Sequence, residues 1–191
     1  MNQNEIKQVL RLHKLWLEND PKGQRAILTG ADLRYAILRN AILVNADLWN
    51  ANLSGADLRN AILRNAILRN AILRNAILRY AILEGADLEG ADLEGADLGY
   101  ATLSGASLKD ANLTNAILEG ADLRSVDLTD ADLEGADLRY ATFDKETKFP
   151  EGFDPVAHGM ILGEEEEVSA VLAKHGLTLG KNVTLNINFI G

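Results

Sequence analysis

The sequence has no cysteine, which excludes disulfides, thiolate metal sites and thiol nucleophiles together. Aromatic residues are only 5% of the chain, so Ala, Leu and Ile must supply the core. No apolar run approaches the length of a membrane span. The amino terminus, MNQNEIKQVLRLHKLWLEND, carries too many charges for a secretory signal. A cytoplasmic location without membrane association is expected. Phosphate-binding patterns of the GxGxxG and GxxxxGK types are also missing.

What is present describes a globular chain. Its 191 residues are 47% hydrophobic and 25% charged, enough for one domain with small appendages. The net charge of −9 hides an asymmetry. Residues 1–83 hold 12 Lys and Arg against 6 Asp and Glu, whereas residues 84–191 hold 7 against 22. Overall acidity argues against direct nucleic-acid binding.

From Ala26 to Lys145 the pattern A-x-L-x-x runs without a gap through 24 five-residue words. The first letter is Ala except at Val126, and the third is Leu except at Phe143. On an α-helix a step of five would spray Leu around the cylinder, and on a flat strand successive Leu would alternate faces. Neither keeps the Leu together, so the backbone must turn once per word. Within A-x-L the side chains point in, out and in, and the last two letters form the corner. Gly and Asn dominate the fifth letter, and both tolerate the positive φ of tight turns. Tyr35, Tyr80, Tyr100 and Tyr140 at that letter predict some corners without positive φ.

Words such as ADLEGADLEGADL and ANLSGADL resemble the pentapeptide-repeat family over about two-thirds of the chain. The resemblance implies an all-β solenoid, a right-handed, quadrilateral, parallel β-helix with one word per side and twenty residues per coil. Twenty-four words then make about six coils, a rod about 29 Å long at roughly 4.8 Å per strand. The expected organisation is an N-terminal capping helix and leader over 1–25, the repeats over 26–145, an exit segment over 146–163 and a tail over 164–191. In the leader, Ile6, Val9, Leu10, His13, Trp16 and Leu17 fall at helical spacing, with Trp16 expected over the first coil. HKLWLENDPKGQRA and TKFPEGFDP resemble leader and exit segments of family members. In the tail, EEEEVSAVLAKHG reads as a short helix, and LTLGKNVTLNINFIG as a strand or hairpin.

Catalytic chemistry finds no support. His13, His158 and His175 share no ligand spacing, and Ser54, Ser104 and Ser107 lie in repeat words without a positioned base. Outward Asp and Glu form a solvated face rather than an acid–base pair, and ADLEG lacks the ligand pattern of a calcium loop. Neither a cofactor nor a metal site is indicated, and the chain reads as a non-enzyme.

The outer surface is what differs between words. Residues twenty apart are expected to be neighbours, which pairs Arg64 with Glu84, Arg69 with Glu89 and Arg74 with Glu94. The same rule stacks Arg39, Arg59 and Arg79, like charges that destabilise a sheet unless Asp57 intervenes. On that reading they suit an anion or an acidic partner, and Arg59→Glu raises the melting temperature. At the second letter, Ile37, Ile42, Ile62, Ile67, Ile72, Ile77 and Ile82 form an apolar band and a candidate interface. The chain is expected to be a scaffold that binds a protein partner or a second copy of itself. The family resemblance implies an alternative, because some members are acidic rods that imitate duplex DNA and bind type II topoisomerases such as DNA gyrase.

Overall fold

A computed structural model describes residues 1–163. The helix and the strand or hairpin expected beyond Gly163 lie outside the described residues.

The second letter of each word bridges, in parallel, the second letter twenty residues later, from Ile27–Asp47 to Asp122–Thr142. The rungs use the backbone on both sides of that letter. The Leu68 N–H donates to the Asp87 carbonyl at 2.6 Å, and the Asp87 N–H donates to the Ala66 carbonyl at 3.0 Å. Four words therefore complete one turn. A constant offset of twenty stacks Leu48, Leu68, Leu88, Leu108 and Leu128 in one column, each no more than 1% exposed. Ala, with its small side chain, fills the space beside each Leu. Every buried Leu contributes about 1.5–3 kcal/mol, from which the entropy of ordering must be subtracted.

Each corner is a hydrogen-bonded turn. The Leu carbonyl accepts from the Ala N–H three residues on, as from Ala66 to Leu63 at 3.0 Å. Every fifth letter from Gly30 to Tyr140 has positive φ, whereas no fourth letter does, which is the type II pattern. The expectation that tyrosine corners avoid positive φ is wrong. Tyr35, Tyr80, Tyr100 and Tyr140 lie between 57° and 62°. The reason is visible one coil later for two of them. A Cβ added to Gly55 would lie 2.6 Å from the Tyr35 ring, and one added to Gly120 would lie 2.6 Å from the Tyr100 ring. Glycine twenty residues on leaves a bed for the ring, and that contact offsets the left-handed backbone, which costs about 1–2 kcal/mol.

Helix α1 spans Gln3–Leu17. Asn2 accepts from the N–H groups of Asn4 and Glu5, and the Glu5 carboxylate accepts from the Asn2 N–H in return, a capping box that fixes the helix start. The helix buries Ile6 and His13 and packs Val9 and Leu10 against the core. It also meets the open edge of the first coil, which has no preceding strand. The Gln3 amide donates to the Ile37 carbonyl at 3.0 Å and accepts from the Ile37 N–H at 3.4 Å, so one side chain stands in for the missing peptide unit. The Ala26 N–H donates to Nδ1 of His13 at 3.0 Å. His13, stacked on Trp16 at 5.5 Å between ring centroids, is the fully buried ring, while Trp16 is half-buried.

At the other end, strand β1 (Thr142–Phe143) pairs in parallel with β2 (Ile161–Leu162). Phe143, Phe149 and Phe153 form a run of ring contacts at 5.6 and 5.2 Å, and Met160 is buried against the core. Among the described residues, the few aromatic side chains outside the corners are thus gathered where the leucine columns end.

Candidate interaction surface

The second letter controls the corner that follows it. Where it is Asp or Asn, its side-chain oxygen accepts from the backbone N–H two residues on, as Asp47 does from Trp49 at 3.1 Å and Asn112 from Thr114 at 3.0 Å. This is an Asx-type turn, typically worth about 0.5–1.5 kcal/mol net. Isoleucine has no acceptor and forfeits it. The Ile words therefore give up a local bond, and what they present instead is hydrocarbon.

The candidate isoleucines are not equivalent. Ile37 and Ile42 are exposed, at 60% and 40%, whereas Ile62, Ile67, Ile72, Ile77 and Ile82 are half-buried. Among the described residues only one face stacks Ile on Ile, through the bridges Ile42–Ile62–Ile82, with Val44 half-buried at the fourth letter of the first of these words. On the other faces polar residues interleave. Ile37 and Ile77 flank Asp57, Ile67 lies between Asp47 and Asp87, and Ile72 lies between Asn52 and Asp92. The structure thus concentrates a continuous apolar strip on a single side.

Arginine lines the same coils. Arg64 meets Glu84 at 2.8 Å, Arg69 meets Glu89 at 2.7 Å and Arg74 meets Glu94 at 3.2 Å. Arg69 and Arg74 also reach Asp87 and Asp92. Exposed pairs of this kind add little stability but hold the guanidinium groups in register.

Arg39, Arg59 and Arg79 do not form the repulsive stack that their spacing suggests. Asp57 lies between the first two, 3.6 Å from Arg39, and accepts two bonds from Arg59 at 2.8 and 2.6 Å. Hydrogen bonding to Arg59 holds the Asp57 carboxyl below its ordinary range. Arg79 approaches Asp97 at 3.4 Å and lies 5.5 and 5.4 Å from the ring centres of Tyr80 and Tyr100. Those two rings stack at 5.5 Å, 15° apart. Carboxylates and aromatic faces relieve the column, so Arg59→Glu is expected to destabilise the rod rather than stabilise it.

The Arg79–Tyr80–Tyr100 cluster was not anticipated, although the same offset of twenty links the two tyrosines. Both rings are more than two-fifths exposed. Tyr and Arg held in fixed poses are the residue types that dominate binding hot spots. Among the described residues, no group of three or more His, Asp or Glu is placed to hold a metal ion. No helix there is long and apolar enough to cross a membrane.

These stacked words, their shared corner and their outward-facing differences define a class of solenoid, and the comparisons say which. The model of pentapeptide repeats matches in eight copies, over segments running from residues 26–65 to 103–144. The chain belongs to the pentapeptide-repeat family, whose fold is the right-handed quadrilateral β-helix. Among solved structures, HetL is 37% identical over 72% of this chain and 68% of its own, with a TM-score of 0.56. HetL is a pentapeptide repeat protein involved in heterocyst differentiation regulation from the cyanobacterium Nostoc sp. strain PCC 7120. A pentapeptide repeat protein of the Arabidopsis thaliana thylakoid lumen is 30% identical over 67% of this chain and 74% of its own, with a TM-score of 0.40. Full-length QnrB1, a plasmid-mediated fluoroquinolone resistance protein, is 15% identical over 80% and 98%, with a TM-score of 0.36. No curated protein matches the chain.

Proposed function

We propose that this protein is a non-enzymatic, cytoplasmic binding rod of about six coils, closed at its N-terminal end by α1. Its working face is the one that carries Ile42, Ile62 and Ile82, and its ligand is a protein partner or a second copy of the chain. The observation that carries this reading is the uninterrupted Ile42–Ile62–Ile82 column. These words give up the acceptor that would tie down the following turn, and contiguous apolar surface usually marks an interface. Arg39, Arg59 and Arg79, with Tyr80 and Tyr100, border it as contacts for acidic or carbonyl groups of the partner. Ile37, Ile67, Ile72 and Ile77 extend apolar contact onto the adjoining sides.

Light scattering tests the reading. A dimer that becomes monomeric in Ile62→Asp identifies self-association through this face. If both proteins are monomers, capture from native lysate with wild type but not with Ile62→Asp identifies a foreign partner. Equal behaviour of wild type and Ile62→Asp in both measurements refutes the assignment.

Mimicry of duplex DNA towards DNA gyrase is the second reading, favoured by the acidity beyond Glu84. Against it, Asp87, Asp92, Asp97, Asp122, Asp127 and Asp137 are each paired with an Arg or Lys of the same rod, which neutralises much of the field. A gyrase supercoiling assay separates the two readings, with no effect expected.

A further inference from the structure

His13 is fully buried, at 0% exposure, and is the one buried polar or charged residue among the described residues. Its ring joins two elements. Nδ1 accepts from the Ala26 N–H, the first backbone donor of the repeat, so the proton of the neutral ring resides on Nε2. That nitrogen is buried without a hydrogen-bond partner. The groups around it come from three directions. Trp16 stacks on it from its own helix, Arg25 faces it from the entry to the first word, and Val44 presents a backbone carbonyl from the fourth word. Arg25 in turn donates to the Asn45 carbonyl at 2.8 Å.

We propose that His13 is a proton-operated latch, which holds α1 on the first coil while neutral and loosens it when protonated. A second proton has to enter at Nδ1, the atom that receives the Ala26 N–H. Protonation therefore sets two donors face to face and places a cation in an apolar site beside Arg25. Burial pushes the imidazole below its ordinary value, the Val44 carbonyl opposes this in part, and Arg25 adds to it. A detached helix exposes an ordinary imidazole, which takes up its proton below about pH 6.5. Docking is at full strength above that value and weakens as pH falls below it. It levels off once the docked ring is also protonated. The ratio of docked to detached helix falls by up to about tenfold per pH unit within that window. Loosening bares the unpaired edge at Ile37 and the Leu28, Leu33 and Leu38 side chains beneath α1.

Nuclear magnetic resonance on the full chain tests this directly. The His13 ring proton, assigned by its loss in His13→Asn, is expected to titrate below 6.5. Protection of the Ala26 amide and of α1, corrected for intrinsic exchange, is expected to fall by up to about tenfold from pH 7.5 to 5.5, while Leu68 and Leu88 amides hold. In His13→Asn the side-chain oxygen keeps an acceptor without a titrating site, and the pH response should vanish. A ring titrating at or above 6.5, pH-independent protection of Ala26, or an undiminished response in His13→Asn overturns the proposal. If His13→Asn does not fold, replacing His158 and His175 by Asn instead isolates the His13 signal, and the titration decides alone.

Discussion

Gly120→Ala probes the corner, the aromatic bed and the arginine cluster in one substitution. Gly120 has φ +65°, and an added Cβ would lie 2.6 and 2.7 Å from two carbons of the Tyr100 ring. The left-handed backbone costs a Cβ-bearing residue about 1–2 kcal/mol. Displacing Tyr100 also removes its stack on Tyr80, about 0.5–1.5 kcal/mol, and its contact with the half-exposed Arg79, about 0.5 kcal/mol. Gly105→Ala is the control, because Gly105 has φ +68° with nothing within 4 Å of the added carbon. It carries only the backbone cost. The difference between the two variants is therefore about 1–2 kcal/mol, or roughly 2–8 °C in melting temperature for a domain of this size. Thermal melts by circular dichroism measure it. In a Tyr100→Ala background the excess at Gly120 should disappear, since the two residues couple only through that contact. Equal melting of Gly120→Ala and Gly105→Ala, or an excess that survives Tyr100→Ala, refutes the packing described for the corner.

Leu68→Ala should lose about 2–5 kcal/mol in denaturant titrations, because Leu68 is 1% exposed between Leu48 and Leu88; a loss below about 1 kcal/mol contradicts the inward column. Arg59→Glu should lower the melting temperature, because it removes the paired bonds to Asp57 and sets two carboxylates together, and a rise would show that repulsion among the arginines dominates after all. Asp127 is held at about 2 by the Thr129 side chain and then Lys148. Its folded value lies below its unfolded one, so its contribution is present above about pH 4 and lost as pH falls from about 4 towards 2. The melting difference between wild type and Asp127→Asn should shrink over that range, and a constant difference would disprove the assignment.

The interior was legible because it obeys one number. A period of five with Leu at the third letter everywhere except at Phe143 excludes the helix and the flat strand, and the offset of twenty then placed Glu84, Glu89 and Glu94 against their arginines. The surface was less legible because its partners are not all at that offset. Asp57 relieves Arg59 from within the same word, and Asp92 reaches Arg74 from eighteen residues away, so a column rule alone overstated the repulsion. The tyrosine corners were misread for a related reason. For Tyr35 and Tyr100 the left-handed φ goes with the bed offered by Gly55 and Gly120 one coil later, which the preference of tyrosine itself does not indicate. At the helix, six positions at helical spacing, His13 among them, gave the inward stripe, but nothing in that spacing separates a histidine that packs from one that also accepts the Ala26 amide. Gln3 is harder still, since its role as a surrogate peptide depends on where the first coil places Ile37.

The rungs between coils set a rule for insertions and deletions. Removing a single word, residues 71–75 for instance, leaves each leucine pointing inward, because every word is the same on that side. Outside, everything beyond the cut is carried round by a quarter of the circumference, and Ile62 then faces Asp87 where Ile82 had been. The hydrophobic interior tolerates length changes in steps of five, whereas the exterior pattern survives only steps of twenty. A lineage of such rods is therefore free to grow or shrink without unfolding, while its recognition face is preserved only when whole coils are gained or lost.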